Sequence, residues 1–212
     1  MKTLIASIAA VCLSGLALAQ QPNPPPKPGP EHQKTPLPKK ELTKVGDFHL
    51  KTARFGAAAV AQGNYVYIIG GQGDGGILGD IERFDVRTHE ITKLTNELIP
   101  RHHHGAAVVG EKIYVFGGEG YRLPSASRFE AAVEIYDLGT GKITRGAPMP
   151  TPRANFGTAS WGRRIYVMGG IYGELRAIGQ TNRTAIYDPI TNVWSEGIPM
   201  STMSISPACP RA

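Results

Sequence analysis

Three apolar runs, each closed by a double glycine, set the rhythm of the chain. They read YVYIIGG, KIYVFGG and RIYVMGG and end at Gly70-Gly71, Gly117-Gly118 and Gly169-Gly170. A stretch that alternates apolar and polar residues follows each one: IERFDVRTHEIT, VEIYDLGTGKIT and TAIYDPITNVWS. Arg54, Arg101 and Arg153 each stand 16 residues before the first glycine of a pair. The matched acids Asp85, Asp137 and Asp188 recur at spacings of 52 and 51. Alternation over four to eight residues, bounded by Gly, Asp and Asn, predicts strands joined by tight turns.

Each copy therefore reads as four strands. The first is short and rich in small residues, as in GAAVV at 105–109, and a turn at Gly110-Glu111 leads into the apolar run. The stretch around VEIYD is the third, and Asp137 opens a turn to a fourth at ITRGAP. Paired glycines let the backbone turn where a side chain would clash. Asp85, Asp137 and Asp188 are read as turn residues whose carboxylates accept backbone hydrogen bonds.

A period near 50 residues with Gly-Gly, Tyr67, Tyr114 and Tyr166 three residues before it, the acids after Phe84, Tyr136 and Tyr187, and Trp194 resembles the kelch repeat. Repeats one and two depart from it by carrying Ile91 and Ile143 near where repeat three has Trp194. The resemblance implies an all-β, kelch-type β-propeller region over 41–200, with three four-stranded blades at about 54–100, 101–152 and 153–200. Residues 42–50, LTKVGDFHL, are expected as a leading outer strand, and 201–212 as an irregular tail. Propellers generally hold four to eight blades. Three readings of the shortfall stay open: a truncated form of a longer propeller, two copies completing a six-bladed ring as a homodimer, or an open arc.

The segment before the repeats has a different character. Lys2, the apolar run Leu4 to Leu18 and Ala17-Leu18-Ala19 form the pattern of a signal peptide over 1–19. Its apolar run is too short to span a bilayer, so no membrane insertion is expected after cleavage, and the product is expected to be exported, periplasmic or extracellular. Residues 20–40 form a Pro-rich linker, with eight of the 17 prolines between Pro22 and Pro38. Of the two cysteines, Cys12 would leave with the signal peptide, and Cys209 alone cannot close a disulfide within the chain. The net charge of +6 contains no block of five like charges, so nucleic acid is not an expected partner.

Candidate chemistry is sparse. His102-His103-His104 offers imidazoles, but alternation along a strand would let only His102 and His104 share a face, and no metal or other cofactor is expected. Asp74 and Asp80 lack the spacing of a calcium loop. The resemblance implies that Arg101, His102, His104, Arg153 and Asn155 lie on the loop face near the central channel, joined by Tyr121, Arg122, Tyr172 and Arg176. Arginine forks suit carboxylates and phosphates, and tyrosines suit sugars or peptides. The competing reading makes the repeated arginine structural, tying blade to blade. The favoured function is a non-enzymatic module binding a protein or a glycan through that face. The alternative is a carbohydrate-active enzyme similar to sialic-acid mutarotases or epimerases, which would need an acid–base pair beside an arginine.

Overall fold

A computed structural model of the chain describes residues 46–120, 129–174 and 177–201. Among them all regular structure is β. The first repeat contains β1 (Ala58–Gln62) and β2 (Tyr65–Ile69), a small hairpin of β3 (Gln72–Gly73) and β4 (Gly76–Ile77), then β5 (Ile81–Asp85) and β6 (Ile91–Thr95). The second contains β7 (Gly105–Val109), β8 (Lys112–Phe116), β9 (Val133–Asp137) and β10 (Ile143–Gly146). The third contains β11 (Arg153–Ala154), β12 (Gly157–Trp161), β13 (Arg164–Met168), β14 (Ile171–Glu174), β15 (Ala177–Gln180), β16 (Thr184–Asp188) and β17 (Val193–Glu196). Three four-stranded antiparallel sheets result, ordered β1-β2-β5-β6, β7-β8-β9-β10 and β12-β13-β16-β17. These are the three expected blades.

Burial explains why the strands look as they do. The innermost strands β1, β7 and β12 are neighbours, with β7 packing on both of the others. The described blades thus form an open arc. In the middle blade, β8 is buried on both faces: Tyr114 and Phe116 pack towards blade three with Phe156, Val167 and Tyr187, and Ile113 and Val115 pack towards blade one with Ile69 and Ile81. In the end blades the second face of the central strand is only half-covered. Tyr67 and Ile69 are buried in β2 and Ile165 and Val167 in β13, while the residues between them are half-buried. An apolar run buried on both faces and one buried on a single face look alike as sequence.

The turns use their expected residues. Asp137 Oδ1 accepts hydrogen bonds from the N–H groups of Gly139 and Thr140 at 3.1 and 2.8 Å, and Asp85 and Asp188 do the same for Arg87 and Ile190. These bonds favour the charged form and hold all three carboxyls below the usual range. At the double glycine, Gly117 adopts φ 57° and Gly118 φ 95°, and a Cβ on Gly117 would lie 2.6 Å from the Arg153 carbonyl oxygen.

Two expectations need correction or restriction. The leading outer strand at 42–50 is not seen in its described part, 46–50. No described sheet edge pairs with that segment, so its backbone gains no ladder; Phe48 instead packs on Phe84 and His89, with ring centroids at 5.6 and 4.3 Å. The signal pattern, the Pro-rich linker, residues 202–212 and both cysteines lie outside the described residues. No described helix is long and apolar enough to cross a membrane.

Candidate functional site

Two of the repeated arginines, Arg54 and Arg101, are turned inward and do not line the face of the arc. Arg101 is 1 % exposed. Its guanidinium is consumed internally: Nε donates to the Ile99 carbonyl at 3.2 Å, Nη1 to the carbonyls of Gly117 and Ala132 at 3.0 and 3.1 Å, and Nη2 to Glu134. Arg54 is held the same way by the carbonyls of Thr52 and Gly70 and by the carboxylates of Asp80 and Glu82. The expectation that Arg101 rims a basic concavity is corrected: a carboxylate 33 residues later draws its side chain into the blade. Burial lowers its pKa, and the Glu134 charge opposes that shift. The backbone of the same residues does tie blade to blade. Gly71 N donates to the Arg101 carbonyl and Gly118 N to the Arg153 carbonyl, both at 2.9 Å.

What reaches the concave face is the residue two positions after each arginine. Gly56, His103 and Asn155 occupy this place, and all three adopt left-handed backbone with φ of 63°, 52° and 54°. A hydrogen-bond ladder links them across the blades: His103 N donates to the Gly56 carbonyl at 2.7 Å, and Asn155 N donates to the His103 carbonyl at 2.9 Å. They open onto a cavity of about 410 Å³, floored by small residues of β1, β7 and β12 such as Ala58, Ala106 and Thr158. The small residues of the first strands are what leave this hollow.

The left-handed turn at His103 also overturns the expected grouping of imidazoles. His102 and His104 do not share a face; His102 and His103 meet instead, with their Nδ1 atoms 2.8 Å apart. Glu119 completes a trio whose donor atoms lie within 4.8 Å of one another, a set chemically suited to a divalent cation with water in the remaining positions. His104 points inward and is buried. Desolvation, followed by the charges of Arg101, His102 and His103, pushes its pKa down to about 3, so it is neutral. Phe55, 58 % exposed, leans against this group, with ring centroids 6.2 Å from His102 and 6.1 Å from His103.

Of the other expected site residues, Tyr172 is exposed and lines a separate cavity with Arg153, Thr151, Thr181 and Arg183. Asp80 is sealed against Arg54, which removes it from any calcium loop. Tyr121, Arg122 and Arg176 lie outside the described residues. Sequence reasoning missed Phe55, Glu119 and the arginine partners Glu82 and Glu134. The last two carried a signal, since each stands three residues before a turn acid.

A KLHDC2/KLHL20/DRC7 Kelch-repeats domain model matches residues 42–212. The chain belongs to the kelch-repeat family. Its kelch relatives include Kelch-like protein 36 of Bos taurus, 31% identical over 160 residues that make up 73% of this chain and 26% of that protein. Kelch repeat-containing protein At1g19470 of Arabidopsis thaliana is 30% identical over 163 residues, 73% of this chain and 38% of the relative. The chain spans well under half the length of these kelch relatives.

Proposed function

We propose that the chain is a non-enzymatic kelch module that binds a protein segment or a glycan at the mouth of the arc. The observation that carries this reading is Phe55, an exposed aromatic ring beside His102 and His103, the second of which lines the 410 Å³ hollow. An exposed ring next to polar, convergent donors suits peptide side chains and sugar faces alike. The enzyme reading is weaker here. A sugar mutarotase would need an accessible arginine beside an acid–base pair, and Arg101 is spent on Glu134. Export, from the N-terminal signal pattern, belongs to the same proposal.

The test is a screen of the purified chain against peptide and glycan arrays, repeated with Phe55→Ala and His103→Ala. Loss of one specific ligand with unchanged melting supports binding at the mouth. Saturable acceleration of sugar mutarotation would replace this reading with the enzyme.

A further inference from the structure

One arginine position is balanced differently in each of the three blades. Arg54 meets two carboxylates, Asp80 and Glu82. Arg101 meets one, Glu134. In both blades that glutamate lies opposite a base on the fourth strand, Glu82 across from Lys93 and Glu134 across from Arg145. In the third blade all these positions change. Ala185 takes the place of Glu82 and Glu134, Arg183 the place of Asp80, and Glu196, across from Ala185, the place of the base.

Arg153 pays for these changes. It is 3 % exposed, yet it donates only through Nη1, to the carbonyls of Gly169 and Arg183 at 3.1 Å each. Its Nε has no hydrogen-bond partner, whereas the Nε atoms of Arg54 and Arg101 each reach the carbonyl two residues back. Among the described residues no carboxylate pairs with it. Glu196 turns outward, 70% exposed, to Arg183 at 3.6 Å. Where the glutamate side chain is missing there is a cavity of about 260 Å³, lined by Arg153, Arg183, Thr184, Ala185, Ser195 and Glu196 among others. A buried guanidinium without a counter-ion is costly, and a carboxylate from outside would supply what the other two blades supply internally.

We propose that this cavity is a carboxylate-binding site, in which a ligand carboxylate takes the place of the absent third-strand glutamate and accepts hydrogen bonds from Arg153. Arg183 adds charge, and the hydroxyls of Thr184 and Ser195 are available as further donors. The site shares no lining residue with the hollow at the mouth and does not depend on the function proposed there.

Acetate is the probe. The full chain is melted in sodium acetate and in sodium chloride at equal ionic strength and neutral pH. Acetate should raise Tm saturably, by roughly 2–5 °C at concentrations well above Kd. The Nε–H resonance of Arg153 should move along the same titration. Ala185→Glu restores the internal acid: it should melt higher than the parent in chloride and lose the acetate response. Glu196→Gln should keep the response, and Arg153→Met should lose it. If Ala185→Glu does not fold, the resonance titration of the parent still decides. An acetate-blind parent overturns the proposal, as does a response that survives Ala185→Glu. A parent that ignores acetate but loses stability in Glu196→Gln would assign Glu196 as the arginine's own partner, and would equally overturn it.

Discussion

Arg101 and Glu134 form an ion pair sealed from solvent, each side chain 1% exposed, between the segment that enters the second blade and that blade's third strand. Breaking such a pair by removing one charge costs about 3–5 kcal/mol, because the other charge is left buried. Glu134→Gln should therefore lower stability to urea by about that amount. The double variant Arg101→Met with Glu134→Leu should lose less than the two single variants together. Equilibrium unfolding of Glu134→Gln, Arg101→Met, Glu134→Leu and the double variant measures both quantities.

Gly117→Val should be strongly destabilising. The position has φ 57°, which a β-branched residue resists, and its Cβ would meet the Arg153 carbonyl oxygen at 2.6 Å and Phe156 Cε1 at 2.9 Å. A loss of about 2–5 kcal/mol is expected from strain and overpacking together. Thermal melting checks it, and an unchanged Tm would show that the double glycine is not a structural requirement.

His104 makes stability depend on pH. Its pKa in the folded chain is about 3, below the ordinary 6.5, so the unfolded chain binds the proton more readily. Stability is then fully present above 6.5 and falls as pH drops towards 3, by up to ~1.4 kcal/mol per pH unit. The lowered carboxyls of Asp85, Asp137 and Asp188 act in a different window, since their contribution is lost only as pH falls below about 3.8. Melts between pH 7 and 4.5 should show the histidine slope, and His104→Asn should flatten it.

Removing metal should leave the fold intact. His102 and His103 are half-buried and Glu119 is buried beside them, outside the packed apolar clusters, which centre on residues such as Ile113, Phe116 and Tyr187. Melting with and without a chelator is expected to give the same Tm. A drop of many degrees would make the trio a structural metal centre.

The end blades suggest self-association. Trp161 is 79% exposed, and β2 and β13 each leave one face half-covered. We propose that two copies cover these faces, as a six-bladed ring would. Light scattering during size exclusion should give a dimer, and Trp161→Lys should weaken it. A monomer with cooperative melting would show that the half-covered faces tolerate water.

Period-two alternation, the double glycines and the Asp turns depend on contacts a few residues apart, and the sequence alone determined from them three blades of four strands, with Val133–Asp137 and Gly105–Val109 recognisable as strands. The destinations of the arginines depended on partners far along the chain. Arg101 reaches a carboxylate 33 residues away, and only the register of β8, β9 and β10 places Glu134 there. His103 reverses the alternation of its neighbours because the ladder to Gly56 and Asn155 holds it in a left-handed conformation that no local pattern announces. The alanine at 185 is a plain letter in the sequence. It acquires meaning once the blades are superposed in space and the arginine facing it is seen to lack its acid, since charge balance in a buried site is a property of three-dimensional neighbours.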